Sequence, residues 1–189
     1  MPNLRRAPAL ATTPSTRLVA LLNTQIAMEF LNHNSYLALA AWCEDASLTG
    51  IGAYYRGQAY EEYMHAMLIY TWMLEWDLDV VMETVPGVVI DADSIISVTE
   101  QALRLENETT EAIHGIYGLA HDEQIWAIRD AFSWFVSEQV EELAAARENL
   151  ARAQLAGAGG GAMLEFDREI GAKAAKVLPL PAGAPTSTG

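Results

Sequence analysis

Apolar side chains recur every three to four positions along four long stretches of the chain, the period of a helix buried on one face. In the first stretch, about residues 16–43, the stripe is Leu18, Leu22, Ile26, Glu29, His33, Tyr36, Ala40 and Cys43, and Ser15 or Thr16 supplies the cap. The second, about 48–76, carries Ile51, Tyr55, Ala59, Glu62, His65, Ala66, Ile69 and Met73, with Asp45 and Ser47 as turn and cap. Asp93 or Ser94 opens the third, about 94–120, whose stripe is Ile95, Val98, Ala102, Glu106, Thr110, Ile113 and Tyr117. The fourth, about 123–153, turns Ile125, Ile128, Phe132, Phe135, Gln139, Leu143, Ala146 and Leu150 inward.

The connections complete the expectation. Residues 77–93, with Pro86-Gly87 and the β-branched Val88-Val89-Ile90, are too long for a tight turn between antiparallel neighbours, so they read as a crossover along the bundle. Short polar turns join the first helix to the second and the third to the fourth. Ala156 to Gly161 is a Gly-rich hinge before a short fifth helix at 162–171. The sequence therefore predicts an all-α fold: a four-helix bundle with one long crossover and a short C-terminal fifth helix. The bundle domain spans 16–172, between flexible tails at 1–15 and 173–189.

Each stripe is broken once, near its middle, by an acid or an amide: Glu29, Glu62, Glu106 and Gln139. Mid-height positions meet in one plane whichever way the helices run. Glu29 and Glu62 are 33 residues apart, and so are Glu106 and Gln139. The local pattern Glu61-Glu62-x-x-His65 returns as Glu138-Gln139-x-x-Glu142, as if two hairpins were copies of one unit. Carboxylates and an imidazole buried without partners cost several kcal/mol, roughly, so they need hydrogen bonds or a metal. Oxygen donors with one nitrogen donor suit iron or manganese. A bridging carboxylate between two divalent ions would offset the buried negative charge.

Composition narrows the chemistry further. The chain has 189 residues, 51% of them hydrophobic, which suits one domain with a sizeable core. Acids outnumber bases 25 to 11, a formal charge of -14 that repels nucleic acid and anionic membrane and attracts cations. Cys43 is the one cysteine, which excludes an intrachain disulfide and thiolate clusters and fits a reducing cytoplasm. No stretch reads as a signal peptide or a membrane span.

With these residues in place, the chain resembles the bacterial non-haem ferritins over roughly 17–171. The matching stretches are Gln25-Ile-Ala-Met-Glu29 with Tyr36, Glu61-Glu62-Tyr-Met-His65, Glu106, and Trp134-Phe-Val-Ser-Glu-Gln-Val-Glu-Glu142. The bundle core with inward carboxylates is the established arrangement of the ferritin-like di-iron proteins. The resemblance implies that Glu29, Glu62 and His65 hold a first iron, with Glu62 bridging. Glu106 and Glu142 would hold a second, with Gln139 beside it. Tyr36 would lie against the pair and supply an electron. Glu61, Glu138 and Glu141, with Glu142, are similar to a third iron site. It further implies a ferroxidase that oxidises Fe(II) with O2 or hydrogen peroxide, and a homo-oligomeric shell of 24 copies that stores Fe(III) mineral.

Two positions depart from haem-binding relatives. Gln139-x-x-Glu142 replaces a second Glu-x-x-His, and Tyr63 stands where a haem-ligating Met would be, so haem is not expected.

Other readings of the same residues stay open. Glu62 and His65 could form a buried pair satisfied by tyrosine hydroxyls, Tyr36 could be a core filler, and Glu61, Glu138 and Glu141 could be a solvated face. His33, His114 and His121 lack partners at ligand spacing. Among rival functions, a rubrerythrin-type oxidase or peroxidase would want a second Glu-x-x-His and a Cys-rich module, and both are missing. A DNA-protecting mini-ferritin conflicts with the acidic charge. A shell subunit without its own centre conflicts with Glu29, Glu62, His65 and Glu106 standing together. An encapsulated ferritin-like cargo would not need the fifth helix.

Overall fold

The computed structural model describes residue 10, residues 12–157 and residues 160–174. Residues 1–9 and 11 of the tail expected at 1–15, residues 175–189 of the tail expected at 173–189, and positions 158–159 of the hinge lie outside the described residues. Five helices follow in order: α1 (Thr16–Asp45), α2 (Thr49–Glu75), α3 (Ile95–Asp122), α4 (Trp126–Ala156) and α5 (Gly161–Ala174). The described residues contain no strand, including the Val88 patch. Nor is any helix among them long and apolar enough to cross a membrane.

α1 packs on α2 and α3 on α4, while α1 and α3 join the two hairpins. α2 and α4 meet only through long side chains, such as Trp72 edge-on to Phe135 and Gln58 reaching Glu142. The crossover is tied to α1 at both ends. The buried Asn23 amide donates to Asp79 O (3.1 Å) and accepts from Val81 N (2.7 Å), and Trp42 Nε1 donates to Ala92 O (3.0 Å).

The apolar core is split in two. One cluster holds Leu18, Leu22, Ile26, Ile69, Ile113, Ile128, Phe132 and Phe135. The other holds Leu39, Cys43, Ile51, Tyr55, Val98 and Ala153, together with Met163, Phe166 and Ile170 from α5. At mid-height between them sits a buried polar layer of Glu29, Asn32, Glu62, His65, Glu106, Thr109 and Gln139. Within the expected N-terminal tail, Leu10 and Pro14 are buried, Leu10 against the first cluster.

The helix ends correct the expected caps. Ser15 does cap α1, accepting from Leu18 N, and Ser94 with Ser97 forms a reciprocal capping box at α3. α2, however, has Leu48 at its N-cap position and no side-chain cap there; Ser47 is engaged in ending α1. α4 starts at Trp126, three residues later than expected, because Glu123 and Gln124 still belong to the end of α3. Glu123 turns back to accept from Ser15 N at 2.9 Å.

The exits from α1, α2 and α3 share one geometry. Leu48 N bonds Cys43 O and Ser47 N bonds Glu44 O; Leu78 N bonds Met73 O and Asp77 N bonds Leu74 O; Ile125 N bonds Ala120 O and Gln124 N bonds His121 O. These are Schellman closures, in which a left-handed residue lets two amides satisfy the last carbonyls. That residue is usually glycine, yet here it is Ser47 (φ 64°), Asp77 (φ 58°) or Gln124 (φ 60°). The first and third closures are 77 residues apart, as are Glu29 and Glu106, and Glu62 and Gln139. Backbone turns and polar positions thus follow one internal repeat.

α5 is seated on the start of α2 by close backbone approach. A Cβ on Gly50 would come within 2.1 Å of Asp167 O, and one on Gly171 within 2.7 Å of Gly50 Cα. The Asp167 side chain accepts from Ile51 N at 2.8 Å and so supplies the cap that α2 lacks.

Candidate metal centre

Glu29 comes from α1, and Glu62 and His65 come from one face of α2, a single turn apart. One ligand atom from each lies within 4.8 Å of the others, and all three residues are buried. His65 Nδ1 is 3.6 Å from Glu62 Oε2. The imidazole is set edge-on against Trp134 and Phe135 of α4, with centroids at 5.7 and 5.3 Å. The Gln25 amide fixes Glu29 Oε1 at 2.8 Å from one turn earlier in α1. Glu29 Oε2 and Glu62 Oε2 have no hydrogen-bond donor.

The opposite side is hydrogen-bonded. Tyr36 donates its hydroxyl to Glu106 Oε1, and Gln139 Nε2 donates to Glu106 Oε2 at 3.2 Å and to Thr110 Oγ1 at 3.1 Å. Tyr36 stacks on Tyr55 with centroids 5.8 Å apart. Glu142 is half-buried outside this layer, its Oε2 accepting from Gln58 Nε2 at 3.2 Å. The same Gln58 amide donates to Glu61 Oε2 at 2.8 Å. Glu138 is half-buried and Glu141 exposed. Among the described residues, Glu29, Glu62 and His65 are the one set of acidic or imidazole groups gathered closely enough to hold a single ion.

Burial dominates the electrostatics. It raises the Glu29 carboxyl well above the ordinary range, and the facing Glu62 raises it further. Burial does the same to Glu62, joined by the charges of Glu106, Glu142 and Glu61. Glu106 is raised by burial but held back by the Tyr36 and Gln139 hydrogen bonds. Glu142 is pushed up to about 8 by burial and then by Glu106 and Glu61. Burial likewise raises Glu61. The Tyr36 phenol is raised by burial and the neighbouring Glu106, so it stays protonated.

A layer of carboxyls this crowded holds protons between them when no cation is present. Divalent cations can replace those protons and satisfy the two orphaned oxygens, and the oxygen-rich set with one imidazole fits iron. The residues present therefore fit the metal.

Several expected positions differ in detail. Leu143 and Leu150 of α4 and Thr110 and Tyr117 of α3 are half-buried, and Asn149 takes a buried place on α4. His33 faces the Ala59 carbonyl, with Nδ1 at 2.6 Å, and does not reach the centre. Tyr63 and Met64 are both exposed. Gln25, Gln58 and the Asn32–Thr109 pair (2.7 Å) are polar parts of the layer that stripe-reading missed. A signal for the first two was available: Gln25 and Gln58 are 33 residues apart, each four before Glu29 or Glu62.

Residues 19–156 match the model of the ferritin-like domain family. A bacterial non-haem ferritin of Staphylococcus epidermidis is 30% identical over 128 residues, covering 68% of this chain and 77% of the relative. One from Staphylococcus aureus is 27% identical over 159 residues, 84% of this chain and 96% of the relative. Among solved structures, the open-pore ferritin of the hyperthermophilic archaeon Archaeoglobus fulgidus aligns with a TM-score of 0.82 at 30% identity, over 84% of this chain and 98% of that one. An engineered closed form of the same protein gives 0.81, at 30% identity, over 84% and 97%.

Proposed function

The chain belongs to the ferritin family, and on that premise we propose that it is an iron-storage subunit that oxidises Fe(II) inside its own bundle. The observation that carries this reading is the pair of buried, donor-free oxygens, Glu29 Oε2 and Glu62 Oε2, beside His65. Iron is the substrate. Glu29 and His65 hold a first Fe(II), Glu62 bridges, and Glu106 and Glu142 receive a second, with Gln139 positioning Glu106. Two Fe(II) ions supply the two electrons that reduce dioxygen to hydrogen peroxide, or hydrogen peroxide to water. Where one Fe(II) only is bound, Tyr36 can give the second of the two electrons, with Glu106 taking its phenolic proton as the electron leaves.

Glu61, Glu138 and Glu141, with Glu142, would supply a weaker third position, occupied last, once their side chains turn to gather around an ion. The subunits close into a homo-oligomeric shell of about 24 copies in the cytoplasm, as the family relationship suggests, with Fe(III) mineral inside. The decisive experiment measures the mass of the purified protein and the iron it retains after aerobic Fe(II) addition. A large particle holding far more iron than its ligand sites can bind supports the reading. A monomer or dimer that releases its oxidised iron overturns storage.

A further inference from the structure

The two halves of the centre differ in readiness. On the Glu29–Glu62–His65 side, two carboxylate oxygens have no donor. On the other side, Glu106 is bonded by Tyr36 and Gln139, and Glu142 shares the Gln58 amide with Glu61. Gln58 is buried on α2, one turn ahead of Glu61 and Glu62. Its single amide nitrogen donates to carboxylates on two helices, 2.8 Å to Glu61 and 3.2 Å to Glu142.

We propose that Gln58 is a positioning residue that holds Glu142 off the second metal position and thereby makes the two ions load in sequence. This rests on the di-iron reading above and adds to it the cause of the order. The first ion meets two carboxylate oxygens to which no amide or hydroxyl donates. The second must detach Glu142 from the Gln58 amide before that carboxylate can turn inward, and an amide–carboxylate bond inside the protein resists this. No covalent chemistry is involved; the device is a hydrogen bond in competition with a cation.

The test is an anaerobic titration of the assembled protein with Co(II), which binds the same donor types without being oxidised. Calorimetry follows affinity, and the visible Co(II) bands report the coordination of each ion. Gln58→Met keeps the side-chain length and removes the donor. The second step should tighten roughly tenfold, with the first unchanged. Gln58→Lys replaces the amide with a charged donor and should weaken the second step. It also serves as the second variant should Gln58→Met fail to assemble. If the wild-type protein takes up two ions and neither variant alters the second step or its Co(II) spectrum, Gln58 has no positioning role. If the wild-type protein takes up no Co(II) at all, the di-iron reading falls first and this inference with it.

Discussion

The Gln25 amide stands 2.8 Å from Glu29 Oε1, one turn ahead of it on α1, and leaves Glu29 Oε2 facing the centre without a donor. A neutral amide thus fixes the orientation of the carboxylate and keeps the other oxygen for a cation. Gln25→Leu should weaken the first divalent ion by about tenfold, as loss of an outer hydrogen bond to a metal ligand does. Anaerobic Co(II) calorimetry checks it; an unchanged first step would make Gln25 a packing residue only.

Glu62→Ala removes the bridging carboxylate, and His65→Ala the one imidazole in the layer. Each should abolish the fast phase of Fe(II) oxidation in stopped-flow measurements while the particle mass stays the same, because the apolar clusters on either side of the layer are untouched. Unchanged rates in both variants would refute the assignment.

Metal-free protein should lose stability as pH rises. The carboxyls of Glu29, Glu62, Glu106 and Glu142 are raised in the folded state, Glu142 to about 8. Unfolded, they titrate at about 4.3. Between those limits the folded chain binds more protons, so its unfolding free energy falls with increasing pH. The melting temperature at pH 5 should exceed that at pH 8, and Co(II) should abolish most of the difference. A metal-free melting temperature that climbs over this interval would contradict the buried, protonated layer.

The stripes made the bundle legible because each helix buries one face, and the polar breaks at Glu29, Glu62, Glu106 and Gln139 are all buried. What the stripes could not show is which partner each carboxylate takes. Glu106 bonds Tyr36 and Gln139 from two other helices, and Glu142 turns to Gln58. Those choices depend on rotamers and on how far α2 stands from α4, which hydrophobic spacing does not encode. The cap of α2 was illegible for a different reason: Asp167 reaches Ile51 N from 116 residues away, and capping signals are local.

Gln124 sits in the left-handed region at φ 60°, where a residue with a Cβ is strained by roughly 1–2 kcal/mol. Part of that strain is offset in a glycine variant by its freer unfolded chain, so Gln124→Gly should raise stability by about 0.5–1 kcal/mol. The denaturation midpoint reports this; a lowered midpoint would mean that the exposed Gln124 side chain contributes more than the backbone strain costs.

Docking of α5 depends on the missing side chain at Gly50. Gly50→Ala would drive a methyl group into the Asp167 carbonyl, so α5 should lift away and limited proteolysis should cut between α4 and α5. Asp167→Ala, which removes only the cap, should cost about 1 kcal/mol without releasing α5. Equal protease resistance in Gly50→Ala and the parent chain would show that the two helices can separate slightly at no cost.

The borrowed cap has a consequence for the order in which the protein is made. During translation α2 leaves the ribosome long before Asp167 is polymerised, so its first turn waits with Ile51 N unbonded by any side chain. The cap of the helix that carries Glu61, Glu62 and His65 is therefore closed only after Asp167 has emerged. Asp167 thus closes the cap on α2 after every residue of the buried polar layer, from Glu29 to Gln139, has been made.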